Sequence, residues 1–117
     1  HPAHAAHVRS QLVEYGALTE LALRQAVTQT GPPNPPATLQ GLIERAAKLG
    51  LLDDHGTEAA TRLREARNRV HLSSAERPPR FQREGRKALR DFTTVVNQLR
   101  RFHSLPPWQP TRPPLAQ

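Results

Sequence analysis

The segment from Thr57 to Leu72 has the sequence TEAATRLREARNRVHL. Its apolar residues recur three or four positions apart, which places them on one side of a helix that turns by about 100° per residue. No proline interrupts the segment, and charged or polar side chains fill most of its other positions. We therefore predict an amphipathic helix that buries a stripe of four residues, Ala59, Leu63, Ala66 and Val70.

Prolines divide the rest of the chain into similar segments. They cluster at Pro32–Pro36, at Pro78–Pro79 and from Pro106 to Pro114. A proline inside a helix removes a hydrogen-bond donor and clashes with the preceding turn, so these clusters are expected between helices. No segment alternates apolar and polar residues with a period of two, which argues against strands. The predicted fold class is all-α, with helices near residues 5–29, 39–52, 57–72 and 81–103.

Short connections between the last three helices favour a four-helix up-and-down bundle. Residues 1–105 are predicted to form one helical domain, and residues 106–117 a proline-rich tail from which Trp108 packs back on the bundle. Thr38 is the expected N-cap of the second helix. The expected core stripes are Val8, Leu12, Tyr15, Ala22 and Ala26 on the first helix, Leu39, Leu42, Ile43, Ala46 and Leu49 on the second, and Phe81, Ala88, Phe92, Val95, Leu99 and Phe102 on the fourth.

Positive charge is concentrated in the second half of the chain. Residues 1–61 contain four Lys and Arg against six Asp and Glu, whereas residues 62–101 contain twelve against four, a net charge of +8. Fifteen of the seventeen cations are arginine, whose planar guanidinium suits bidentate contacts with phosphate. This asymmetry predicts an anionic partner such as RNA or a nucleotide. A solvated basic face without a partner is the alternative.

The chain contains no cysteine, which excludes disulfides, thiolate zinc sites and cysteine nucleophiles. This absence favours a reducing compartment, and we predict a cytoplasmic location with no membrane span. We expect no metal and no cofactor, because His1, His4 and His7 lie at a terminus that is expected to fray. The chain begins with histidine rather than methionine, so we expect a piece of a longer protein.

Four polar residues share one edge of the third predicted helix. Arg64, Arg67, Asn68 and His71 fall within an arc of roughly 100° beside the apolar stripe. Imidazole both accepts and donates protons near neutral pH, and guanidinium stabilises charge that develops on phosphate oxygens. The set suits metal-free phosphodiester transfer in RNA, in which the 2′-hydroxyl attacks the adjacent phosphate. Alternatively, His71 complements the dipole at the end of its helix and the arginines are solvated.

The run LREARNRVH, residues 63–71, resembles the Arg-(four to six residues)-His signature of the HEPN superfamily (higher eukaryotes and prokaryotes nucleotide-binding). The resemblance extends over about residues 38–103. It implies a helical bundle that dimerises so that two motifs face each other across a cleft. Many family members are metal-independent endoribonucleases of defence, toxin–antitoxin or RNA-processing systems, and others only bind or dimerise. It implies catalytic roles for Arg64, Arg67, Asn68 and His71.

The motif departs from the family pattern in its spacing. Six residues separate Arg64 from His71, the upper limit of the family range, whereas only three separate Arg67 from His71. The polar residue that often follows the motif arginine is Asn68, which follows Arg67. Both arginines therefore remain candidates. Ser73 stands where toxins modified by a nucleotidyltransferase partner carry tyrosine, so such modification is not expected.

A second basic surface is predicted on the fourth helix, where Arg83, Arg86, Lys87 and Arg90 share much of one face. Such a face would follow the phosphates of RNA. We therefore expect an RNA-binding homodimer that acts as a metal-independent endoribonuclease. The alternative is a non-catalytic dimerisation or interaction module of a larger protein, with a protein partner.

Overall fold

The computed structural model describes residues 2–72 and 78–110, and the side chains within these ranges except those of residues 2–11, 70–72, 78–82 and 84. The described residues form four α-helices and no strand, which confirms the all-helical prediction. The helices are α1 (Pro2–Thr30), α2 (Leu39–Lys48), α3 (Asp54–Leu72) and α4 (Pro78–Phe102). None of these helices is long and apolar enough to cross a membrane.

The second helix begins where the sequence predicts and ends four residues earlier. The hydroxyl of Thr38 accepts a hydrogen bond from the Gly41 amide at 3.0 Å, which confirms the predicted N-cap. Past the C-cap, Gly50 adopts a φ of 79°, and its amide and the Leu51 amide donate to the carbonyls of Ala47 and Ala46. This is a Schellman motif, which a glycine without a Cβ forms at low cost.

The third helix begins at Asp54, three residues earlier than predicted, because Asp53 caps it. The Asp53 carboxylate accepts from the Gly56 amide at 2.9 Å and from the Gln98 side chain at 2.6 Å. The bond from the Gly56 amide and then that from Gln98 lower the pKa of Asp53. A lowered pKa means that this cap stabilises the fold above the ordinary pKa of aspartate and is lost as the pH falls through the folded value.

The fourth helix begins at Pro78 rather than at residue 81. Proline is tolerated in the first turn of a helix, where its missing N–H would have no intrahelical partner. The helix ends at Phe102, and the Leu105 amide donates to the Arg100 carbonyl at 2.8 Å just beyond it.

The helices do not alternate in direction as an up-and-down bundle would. Tyr15 stacks on Phe92 with ring centroids 5.3 Å apart. Farther along both helices, one groove is shared by Ala22, Ala26 and Gln29 of α1, by Val96 and Leu99 of α4, and by His103 just beyond α4. The helices α1 and α4 are therefore parallel, whereas the predicted topology would make them antiparallel.

The cause of this difference is the connection between α1 and α2. Arg24 donates to the carbonyls of Pro36 and Ala37 at 3.0 and 3.2 Å, so the proline-containing connection turns back along α1. At the other end of α2, Leu49 lies against Gly31. Since α2 begins beside Arg24 and ends beside Gly31, it follows the direction of α1 instead of reversing it.

The core lies around α3, which packs against the other three helices. Small residues of α3 dominate its buried face, namely Ala59, Ala60 and Ala66 beside Leu63. The first helix buries Leu23 and Val27 in addition to the predicted Leu12 and Ala26, because it too contacts all three other helices. The predicted core residues Val8, Val70 and Phe81 lie outside the described side chains.

The prediction that Phe102 belongs to the core is wrong, since its side chain is 45% exposed. Gln98 of α4 contacts Asp53, which immediately precedes α3. The last turn of α4 therefore extends past the beginning of α3 and has no α3 residue to cover Phe102. The described part of the tail returns along α4 instead, as expected for Trp108. The Trp108 amide and carbonyl bond to the side chain of Asn97, and its ring contacts Phe92 edge-on at 5.7 Å.

Candidate functional site

The polar residues of α3 divide into sets that face different neighbours. Arg62 points toward α4, and Arg67 points toward α1. Arg64 and Asn68 lie one turn apart on the remaining edge, which is half-exposed at Arg64 and exposed at Asn68. The predicted motif is therefore not one uniform surface.

Arg67 is held against α1 by its guanidinium and by its aliphatic stem. The guanidinium donates to the Glu20 carboxylate at 3.0 Å. The stem lies on Gly16, where an added Cβ would be only 2.6 Å from the Cδ of Arg67. Gly16, which lowers helix propensity in α1, is thus required for this close approach.

Arg64 and Asn68, unlike Arg67, are not paired with a side chain of another helix among the described residues. Neither side chain makes a hydrogen bond or an ion pair with any residue that the structure describes. The backbone of His71 belongs to α3, at a position two helical turns beyond Arg64, but its side chain lies outside the described ones. Of the two candidate arginines, only Arg64 leaves its guanidinium available to a ligand without breaking an internal ion pair.

An ion pair between the half-buried Arg62 of α3 and the buried Asp91 of α4 was not among the sequence predictions. Arg62 donates to both carboxylate oxygens of Asp91, with its terminal nitrogen 2.9 Å from Oδ1 and its Nε 3.1 Å from Oδ2. The Asp91 side chain is only 8% exposed, and its hydrogen bonds raise the pKa of Arg62. The sequence signal for this pair is an aspartate on an apolar helix stripe, because position 91 lies between Ala88 and Val95.

The ion pair forms part of a groove of about 260 Å³ between α3 and α4. The walls combine both charge signs: Arg62, Leu63, Glu65, Ala66 and Arg69 of α3 and Lys87, Ala88 and Asp91 of α4. Among the predicted RNA-binding residues only Lys87 reaches this groove, and none of Arg64, Arg67 and Asn68 lines it.

The predicted basic face of α4 is open to solvent. All four of its side chains, Arg83, Arg86, Lys87 and Arg90, are exposed. None of them makes an ion pair or a side-chain hydrogen bond with a residue in the described ranges. Their spacing of three and four residues makes them neighbours on the helix surface. We call these four residues the α4 basic face.

The structure thus separates the two predicted sets. The α4 basic face points to solvent, and the edge with Arg64 and Asn68 belongs to a different side of the bundle from the groove that Lys87 lines. Guanidinium groups are able to bind anions, and amide groups are able to orient hydroxyl groups. Among the described side chains, no three His, Asp or Glu residues converge as a metal site would require.

Comparison with models of known protein families, with curated proteins and with solved structures found no match.

The first prediction separates structural from available arginines on α3. Arg62→Gln should lower the free energy of unfolding by about 2 kcal/mol, because it leaves the buried Asp91 carboxylate without its charged partner at a site that solvent partly reaches. Arg64→Gln, two residues along the same helix, should change it by less than about 0.5 kcal/mol. Urea denaturation followed by circular dichroism measures both. Equal losses in the two variants would show that Arg62 has no special structural role.

Proposed function

We propose that this domain binds RNA through the α4 basic face. The observation that supports the proposal is the exposure of four adjacent cations that have no ion-pair partner among the described residues. Counterions accumulate on the phosphates of a nucleic acid, and their release when such cations bind provides a favourable free energy. The +8 charge of residues 62–101 strengthens this attraction beyond the four residues themselves.

The composition favours binding to the backbone of RNA rather than to its bases. Single-stranded RNA is read largely by stacking of bases on exposed aromatic rings. Of the described aromatic side chains, Tyr15 and Trp108 both pack on Phe92, which leaves Phe102, 45% exposed beside His103, as the one fully open ring among them. A single open ring is a poor platform for stacking successive bases. We therefore propose that binding depends on phosphate charge and is insensitive to base sequence.

RNA cleavage is a second candidate, favoured by the position of Arg64 and Asn68. Both lie without an internal partner among described residues, on the edge of α3 that continues to position 71. In this proposal His71 transfers protons, Arg64 stabilises charge on the phosphate and Asn68 orients a hydroxyl group, as the resemblance to HEPN endoribonucleases implies. Arg67 contributes a further phosphate contact.

A homodimer belongs to the cleavage proposal. One chain supplies one His71, while in-line transfer is best served by separate groups that accept and donate protons. A two-fold axis supplies the second copy of each group. The competing proposal is an interaction module that binds RNA or a protein without cleavage.

The second prediction tests RNA binding with two variants of equal charge change. Lys87→Gln combined with Arg90→Gln removes two cations from the α4 basic face. We expect RNA affinity to fall by at least tenfold, and the slope of log affinity against log salt to decrease by about 1.4, as expected when two phosphate contacts are lost. Fluorescence anisotropy with a labelled single-stranded RNA measures both quantities.

The matched control removes one arginine and one lysine from α2, through Arg45→Gln and Lys48→Gln. It alters net charge equally but lies on a helix that does not pack against α4. If the control weakens RNA binding as much as the α4 variant, binding reflects net charge alone and the proposed surface is refuted.

The third prediction concerns cleavage. Incubation of the purified protein with RNA in EDTA should yield fragments that end in 2′,3′-cyclic phosphate. His71→Ala should slow this cleavage roughly 10²- to 10⁴-fold with RNA affinity almost unchanged, because it removes a proton-transfer group and not a cation of the binding face. Arg64→Lys keeps the charge but loses the bidentate fork, so it should also slow cleavage.

Stable RNA binding without cleavage would favour the interaction module over the nuclease. Cleavage that survives His71→Ala would exclude His71 as the proton-transfer group. Light scattering should show a dimer at tens of micromolar protein if the composite site is correct.

A further inference from the structure

A carboxylate on α1 lies between two guanidinium groups. Arg67 of α3 donates to one Glu20 oxygen at 3.0 Å, and Arg24 of α1 donates to the other at 3.3 Å. Each arginine therefore bonds to a different oxygen of the same acid. All three side chains remain about one-third exposed, so solvent reaches the carboxylate.

Both arginines are fixed by contacts other than Glu20. Arg24 donates to the carbonyls of Pro36 and Ala37, and the stem of Arg67 rests on Gly16. The Arg24 guanidinium and the Arg67 stem would consequently keep their positions if the Glu20 side chain rotated into solvent. A partly exposed ion pair of this kind is worth only about 0–1 kcal/mol, so its opening is inexpensive.

We propose that Arg24 and Arg67 form a phosphate-binding site in which Glu20 is an internal, displaceable occupant. A phosphate group presents oxygens to two guanidiniums as a carboxylate does, with greater charge in a terminal phosphate. The proposal extends the proposed RNA-binding function by adding a phosphate contact between α1 and α3. Glu20 then acts as a competing anion that weakens phosphate binding until it is displaced.

This assignment gives Arg67 a different role from Arg64. Arg64 is available without rearrangement, whereas Arg67 becomes available only when Glu20 leaves. An RNA strand that crosses the exposed edge of α3 would meet Arg64 first and the Arg24–Arg67 site next to α1. Arg24 and Glu20 belong to α1 and are not part of the predicted α3 motif, so the motif alone does not predict this site.

The test uses pyrophosphate as a probe, which requires no RNA binding. Titration of wild-type protein and of Glu20→Gln, followed by the side-chain Nε–H resonances of arginine in NMR spectra, should move the Arg24 and Arg67 signals in both proteins. The variant should bind up to about fivefold more tightly, because the competing ion pairs of Glu20 are partly exposed and such a pair is worth at most about 1 kcal/mol. Adding Arg24→Gln to this variant should abolish the gain.

The matched control is Glu44→Gln, which removes an exposed acid of α2 that contacts Gln40 and no arginine. It should leave pyrophosphate affinity within twofold of wild type. An equal gain in the two variants would overturn the proposal, as would Arg24 and Arg67 signals that do not move at saturating pyrophosphate. If Glu20→Gln fails to fold, the movement of both signals in wild-type protein decides the question alone.

RNA affinity measured on the same proteins separates this inference from the proposed function. Tighter RNA binding by Glu20→Gln, beyond that of Glu44→Gln, would support a role of the phosphate site in RNA binding, whereas loss of affinity in the Lys87/Arg90 variant would support the α4 interface. If pyrophosphate moves the two arginine signals but the Lys87/Arg90 variant retains full RNA affinity, the phosphate site stands and the α4 interface fails.

Discussion

The close packing of α3 against its three neighbours determines where the charged side chains of this domain lie. Alanines make up most of the buried face of α3, so α1 and α4 approach it closely. An arginine beside this face must then either form an ion pair with a carboxylate on a neighbouring helix or point into solvent. A buried charge without a partner would lower the stability of the fold. Arg62 finds Asp91, Arg67 finds Glu20, and Arg64 stays at the half-exposed edge.

The three arginines of α3 therefore have different roles. Arg62 joins α3 to α4 around a nearly buried aspartate, so its contribution is to stability. Arg67 joins α3 to α1 through a partly exposed ion pair with Glu20, and we propose that a phosphate group can displace Glu20 from it. On the α4 basic face no internal acid has to be displaced, because its cations are already exposed to solvent. We therefore propose that RNA contacts this face first.

The helices could be predicted from the sequence because apolar spacing, proline clusters and the Thr38 cap are local signals. The predicted ends of the helices are less accurate. Because Asp53 caps α3, that helix begins three residues before the predicted start. The fourth helix also begins three residues early, because Pro78 and Pro79 are permitted in its first turn. The parallel arrangement of α1 and α4 follows from bonds between Arg24 and the carbonyls of the α1–α2 connection, which no spacing pattern reports. The exposure of the α4 cations could be predicted because they share one polar side of their helix. The partners of Arg62 and Arg67 lie on other helices, so they could be identified only from the three-dimensional structure.

We propose above all that RNA binds to the α4 basic face. Backbone amide shifts of isotope-labelled protein, recorded by NMR spectroscopy as unlabelled single-stranded RNA is added, test it most directly. We expect the largest changes around residues 83–90, with further changes around residues 64–68 and near Glu20. This proposal would be contradicted by changes confined to the opposite groove between α1 and α4, around Ala26 and Leu99, or by no change at RNA concentrations that saturate other basic RNA-binding domains.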